Sequence, residues 1–493
     1  MSNVFPAVLL LHQFYYYLII IMSSNTGSSY RLSNIFSLIK QSLRSEGQDF
    51  TTGSMRRAVI LLAIPMMLEM SMESVFALVD IYFVSHLGKH ATSVVGLTES
   101  VITIVYSIAM GMSMAAAAMV ARRVGEKNPE GATKAGMQAI VISFFITLLI
   151  SIPGFIFAQD ILGLMGAEPQ AIAMGTTYVR IIVGGSMVIM LLFLINGIFR
   201  GAGDAMMAMK SLWLANICNI ILCPLFIRGF GPVPAFGLEG AAIATTVGRG
   251  IGVIFQLYHL FNGKGMVKFV FDKLKPDFKV IRSLLDVAWP AATQFLIGSG
   301  SWIVLAKLVA DTGHSEASAG YLIGIRIVLF FILPAWGMSN AAATLVGQNL
   351  GAGLPERAEQ SVLRTAKYNA IFMGSMSVLF LLFAPLIISF FTKDPAVAVY
   401  AVNTVRIVSA GFIFYGIGMV MVNAFNGAGD TKTPTVINLA GFWFFQIPFA
   451  YLLAKTLNMG PYGVFLAIPV AETAICISAW IMFRRGKWKL KKI

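Results

Sequence analysis

The chain has 493 residues, of which 57% are apolar and only 12% charged, and its mean hydropathy is +0.80. Soluble domains carry roughly 25% charge, so a soluble globular chain is excluded. The net charge of +14 is therefore read as loops facing anionic lipid, not as a nucleic-acid surface.

In chain order, residues 5–22 (FPAVLLLHQFYYYLIIIM) form an apolar run without a basic leader or a small-residue cleavage site. Residues 1–54 are read as an N-terminal appendage and linker, not as a thirteenth span, with Met22 and Met55 as alternative starts. Apolar runs broken by Gly, Pro and charge then predict twelve spans near 58–84, 92–120, 133–157, 171–198, 209–228, 237–261, 283–309, 317–347, 361–390, 396–424, 434–456 and 461–484. This is an all-α membrane protein with a first six-helix lobe over 55–262, a linker over 263–282, a second lobe over 283–485 and a basic tail over 486–493. Cys218, Cys223 and Cys476 lie inside apolar runs with no metal-ligand spacing, which argues against disulfides and zinc.

Basic residues set the orientation. The clusters at 122–127, 264–282 and 484–492 all fall on one side, whereas only Lys89, Arg228, Lys307, Lys393 and Lys455 fall on the other. Arg200 is assigned to a loop just past the fourth span, and Arg180, Arg249, Arg326 and Arg406 lie within spans. The asymmetry predicts that both ends of the twelve-span core are cytoplasmic, in a cell inner membrane.

The two halves repeat. GMSMAAAAMVARRVGEKNPEGA from Gly111 aligns without gaps to GMSNAAATLVGQNLGAGLPERA from Gly337, with 11 identities in 22 positions and an offset of 226. The same offset relates FRGAGD at 199–204 to FNGAGD at 425–430 and Arg180 to Arg406. Pro65 matches Pro290 with a one-residue slip, and GAAIA at 240–244 matches GVFLA at 463–467. Six spans per copy keep both copies in one orientation, so the lobes should be related by a pseudo-twofold axis along the membrane normal, with a pathway between them. No phosphate loop or hydrolase motif occurs, which reads as a secondary transporter rather than an ATP-driven pump or an enzyme. No cofactor is expected.

Several side chains stand out against this apolar background. Asp80 lies inside the first span, where an ionised carboxylate is costly unless paired, hydrated or protonated. Glu69 and Glu73 share its helix within about 40° of one another, forming an acidic stripe suited to cation exchange unless Arg249 or Arg180 neutralises it. Glu99 is a single acid in the second span, and it is expected to line the substrate cavity with Met70 and Phe76. Glu472 is another isolated acid, in the last span. The repeated GAGD turns should place Asp204 and Asp430 as helix caps.

IPMMLEMSMESVFALVDIYFVSHLG at 64–88, the two GAGD turns and the two GMSxAAA elements resemble the multidrug and toxic compound extrusion (MATE) family over about residues 55–485. The resemblance implies a twelve-helix antiporter that expels amphipathic, often cationic compounds in exchange for Na+ or H+. It further implies a cation-coupling site at Asp80, at Asn219 of the fifth span and at a sixth-span hydroxyl near Thr245, with Na+ at Asp80 and Asn219 as the one metal in prospect. The sequence departs from the family pattern at NIILCP, where Cys223 stands in place of a common aspartate, and at Gly298, where one branch has a glutamate. Glu69 or Glu73 is expected to compensate for the acid absent at position 223. Partners are expected to be small organic substrates and the bilayer, with no nucleic acid, and the protein is expected to be a monomer. The nearest rival reading is a flippase for a lipid-linked saccharide or a lipid.

Overall fold

The computed structural model describes residues 37–43, 50–263 and 265–493, so the apolar run at 5–22 lies outside the described residues. Twelve helical spans follow one another: α1 (Met55–Ser85), α2 (Lys89–Gly125), α3 (Pro129–Ile156), α4 (Pro169–Gly201), α5 (Ala205–Arg228) and α6 (Gly237–Asn262) make the first lobe. The second lobe consists of α7 (Phe278–Thr312), α8 (Ser315–Gly351), α9 (Pro355–Ser389), the bent pair α10 (Pro395–Ala410 and Phe412–Ala428), α11 (Lys432–Thr456) and α12 (Pro461–Arg484). Hydropathy placed these spans to within a few residues, because a helix crossing hydrocarbon must be long and apolar throughout.

Two spans depart from regular helix. α10 bends by 55° at Gly411, whose Cβ would stand 2.6 Å from Pro469 Cβ, so α12 packs directly against the corner. α11 turns π-helical over Leu439–Gln446 and again over Leu452–Thr456. Within it Trp443 is braced by an indole hydrogen bond to the Ile297 carbonyl at 3.0 Å. Hydropathy averages over such local changes and cannot reveal them.

The internal repeat becomes a set of reciprocal contacts. Gly111 of α2 meets the Ala288 and Ala292 backbone of α7, while its counterpart Gly337 of α8 meets the Met66 backbone of α1. Gly125 packs on the Gln348 carbonyl and Gly351 on the Arg122 carbonyl, again the same pair of positions exchanged between lobes. Within each lobe, Gly201 sits against Ala117 and Gly427 against Ala343. Such swapped contacts are what a twofold relation between two copies requires, and small residues let the backbones approach without an aqueous hydrophobic drive.

The hydrogen bonds between lobes gather toward the end that carries the basic loops. Thr344 Oγ1 donates to the Arg200 carbonyl and Gln348 Nε2 to the Gly201 carbonyl, both at 3.2 Å. Arg122 donates to the Ala428 and Lys491 carbonyls, and Arg123 donates to that of Ile493. The tail is held by Trp488, buried and stacked on Phe483 at 4.9 Å. Residues 50–54, read above as the end of a linker, also pack: Phe50 is buried with the second lobe, and Arg357 donates to the carbonyls of Phe50 and Thr52. Between the lobes, buried Gln138 of α3 clamps the linker through the Lys273 and Lys275 carbonyls and the Asp277 amide. Lys134 pairs with Asp277, which caps α7, and holds that carboxyl below the usual carboxylate range.

The turn residues are only partly as expected. Asp204 Oδ1 accepts from the Met207 amide and caps α5, whereas Asp430 Oδ2 accepts from the Thr433 hydroxyl.

Because the atoms facing Gly125 and Gly351 are backbone, an added methyl group cannot be absorbed by a rotamer change. Gly125→Ala and Gly351→Ala should each fold, since both glycines end their helices without the left-handed backbone that alanine resists, but should hold the basic end apart. Spin labels at positions 127 and 353 should then report a longer distance than in the parent, and an unchanged distance distribution would refute the seam.

Candidate functional site

A cavity of about 260 Å³ lies between the lobes, bordered by Met70 and Glu73 of α1, Tyr106 of α2, Phe193 of α4, Phe295 of α7 and Trp336 of α8. Its lining includes one acid and no base. Met70 borders this cavity, although nearly all its surface is covered. Phe76 instead lies behind the wall, with its ring 5.1 Å from the Arg249 guanidinium. Glu99 is exposed beyond the cavity, where it feels the charge of Arg326, also exposed, across the gap between α2 and α8 without an ion pair.

The acidic stripe of α1 resolves into two ion pairs and one unpaired carboxylate, which corrects the picture of three like charges. Glu69 is fully buried, and its Oε1 accepts from Arg200 Nη1 at 3.2 Å and Asn196 Nδ2 at 3.1 Å, both on α4. Arg200 is also tied to Ser113 on α2, and Gln256 on α6 donates to Asn196 Oδ1 at 2.7 Å. Arg200 is therefore not a loop residue. The sequence hid it because it stands directly before GAGD, where the apolar pattern ends, yet α4 continues through Gly201.

Glu73 is held next. Its Oε1 accepts from Arg249 Nη2 of α6 at 3.2 Å and its Oε2 from Asn216 Nδ2 of α5 at 3.1 Å. Arg249 is 1% exposed and lies among the rings of Phe76, Tyr106 and Phe193, with centroids between 5.1 and 5.7 Å from its guanidinium carbon. Aromatic faces stabilise a desolvated guanidinium, so the cation is enclosed rather than solvated. Arg180 does not join the acids. It lies over the Phe155 ring, and its repeat partner Arg406 donates to the Leu381 carbonyl, at the position equivalent to Phe155.

Asp80 is left over. Among the described residues it makes no hydrogen bond or ion pair, and its Oδ1 is buried without a partner. It feels the charges of Glu99 and Arg249, and it acts in turn on Cys223 and Tyr178. Asn219, one turn before Cys223 on α5, donates to Thr245 Oγ1 at 3.0 Å, which leaves its buried Oδ1 free. The structure thus joins Asn219 to Thr245, sets Asp80 near Cys223, and ties Glu69 and Glu73 to arginines. Asp80 Oδ1 and Asn219 Oδ1 join Glu69 Oε2, Asn216 Oδ1 and Gln256 Oε1 as buried first-lobe oxygens without partners, and of these only Asp80 belongs to a carboxylate that no arginine pairs, so it is the group suited to accept a cation or a proton.

A family model described as MatE matches residues 65–225 and 290–452, one segment in each lobe. The chain belongs to the MatE family. It is similar to a probable multidrug resistance protein, NorM, of Thermotoga maritima, with 26% identity over 464 residues, 93% of this chain and 97% of that protein. It is also similar to an FAD transporter of Shewanella oneidensis, with 28% identity over 83% of this chain and 90% of the other. Among solved structures, an outward-facing multidrug resistance MATE transporter superposes with a TM-score of 0.86 at 26% identity, covering 91% of this chain and 99% of that one. The twelve-helix fold and the membership of a family of membrane transporters read from the sequence are both borne out.

Within this MatE protein the buried pairs can be tested directly. Removing one partner of a buried ion pair typically costs ~3–5 kcal/mol, because the other charge is stranded. Arg249→Met should lower the thermal unfolding midpoint in detergent sharply, and adding Glu73→Gln to it should recover most of the loss. An unchanged midpoint for the single variant would remove this pair from the account of the lobe.

Proposed function

We propose that this protein exports amphipathic organic cations from the cytoplasm across the inner membrane, in exchange for Na+ or H+, by rocking its two lobes about the cavity between them. One observation carries the reading: α1 bears three acids against two buried guanidinium groups, so a single carboxylate, Asp80, remains uncompensated beside a lobe interior with a free Asn219 oxygen. A carboxylate buried in this way demands a cation or a proton, so occupancy by one or the other is the natural coupling event.

Substrate recognition follows from the cavity wall. Met110 adapts in shape, Phe295 and Trp336 offer faces to a cation, and Glu73 borders the cavity with a carboxylate paired to Arg249 behind it. A flippase for an anionic headgroup, or a carrier of a dinucleotide of the kind named for the Shewanella relative, asks for basic lining, and none borders this cavity. The positive-inside pattern supports a cytoplasmic position for the basic end, where hydrogen bonds between the lobes gather. Cation entry from outside favours release of the organic substrate, and substrate binding from inside favours release of the cation. A monomer is sufficient for this cycle, since both lobes belong to one chain.

Efflux of a fluorescent cationic dye from vesicles, under separately imposed sodium and proton gradients, tests the reading and identifies the ion. Asp80→Asn should abolish gradient-driven efflux at unchanged protein level and unfolding midpoint. Parental efflux in that variant would overturn the assignment.

A further inference from the structure

The second lobe contains a buried acid that the site above does not use. Glu472 lies on α12 in the middle of a covered stripe formed by Ile468, Ala471, Ile475 and Cys476. It is 7% exposed, and among the described residues no hydrogen bond or ion pair holds it. An unpaired carboxylate in such surroundings is costly if ionised, and natural membrane helices keep one where it has a task.

The internal repeat gives this position a meaning. GAAIA at 240–244 corresponds to GVFLA at 463–467, and the structure supports this register. Gly240 packs on the backbone of Phe226 and Ile227 at the end of α5, as Gly463 packs on that of Leu453 and Ala454 at the end of α11. Carried forward, Glu472 is the counterpart of Arg249. The one-residue slip that relates Pro65 to Pro290 makes Gly298 the counterpart of Glu73. A Cβ placed at Gly298 would meet no atom within 4 Å. Where the first lobe sets a carboxylate on its first helix against a guanidinium on its sixth, the second lobe has open space on its first helix and a carboxylate on its sixth. The acid occupies the base's place, and no base replaces it.

We propose that Glu472 is a proton-binding site of the second lobe. A carboxylate oxygen takes a proton from hydronium that reaches the lobe interior, one O–H bond forms, and the reverse step returns the proton to water. A proton suits this position better than a metal cation, because it needs a single oxygen. A sodium or larger ion would require several oxygen ligands, and no group of three or more His, Cys, Asp or Glu side chains that could hold a metal occurs among the described residues. The titratable groups that face Glu472 are the phenol of Tyr415 on α10 and the thiol of Cys476 one turn along α12. Neither is a charged partner at neutral pH. From α7, α11 and the tail, no ionised group among the described residues bears on it.

Infrared difference spectra of the full-length protein in nanodiscs, recorded as the pH is raised, test this without requiring transport, so the result is independent of the export reading. The parent should lose a carboxylic C=O stretch on alkalinisation. That band should be absent from Glu472→Gln and displaced in Glu472→Asp, while the contributions of other carboxyl groups persist in both. Circular dichroism and the unfolding midpoint serve as fold controls, and Gln is close in size to Glu. Identical difference spectra for the parent and Glu472→Gln would overturn the proposal. So would removal of the band by added sodium at fixed pH, which would make the ligand a metal cation.

Discussion

Charge inside hydrocarbon must be neutralised, and the first lobe is assembled around that requirement. Glu69 draws α4 to α1 through Arg200 and Asn196, and Glu73 draws α5 and α6 through Asn216 and Arg249. Ser113 and Gln256 extend the same network to α2 and back to α6. Five of the six helices therefore join in the network built on the two glutamates, and three aromatic rings surround Arg249. Replacing a buried ion pair by apolar groups is often neutral for stability, so these pairs are better understood as fixing which helices meet than as a source of net stability.

The second lobe reaches the same geometry with neutral chemistry. Gln294 and Asn426, the counterparts of Glu69 and Arg200, exchange hydrogen bonds at 3.1 and 3.3 Å. Asn423 donates to Ser339 at 2.6 Å, where the first lobe packs Gly197 on Ser113. One ancestral contact is thus solved twice, once with charges and once with amides. The charged solution sits in the lobe that also keeps Asp80.

This comparison explains what could be read in advance. Spans and duplication were legible because hydropathy and self-alignment are properties of contiguous sequence. Asp80 was legible because an acid in an apolar run is conspicuous. The partners of Glu69 and Glu73 were not, since Arg200 is 131 residues from Glu69 and Arg249 is 176 from Glu73, and no local pattern links them. One signal was available: the paired change from Glu69 and Arg200 to Gln294 and Asn426 between the halves of one chain is the joint substitution expected of residues in contact. The bend at Gly411 and the π-helical turns of α11 left no such trace, because they arise from packing against α12 and α7.

The pairing of the first-lobe charges has an electrical consequence. A unit charge carried across a membrane potential of 100 mV changes the free energy by about 2.3 kcal/mol. Glu69 with Arg200 and Glu73 with Arg249 sum to zero as each pair moves together, so these four groups add no voltage dependence however far the lobe rotates. What the field can act upon in the spans of this lobe is the unpaired remainder: Asp80 with whatever occupies it, Glu99 and Arg180. The current accompanying turnover would then count transported charges directly, with little contribution from this part of the scaffold.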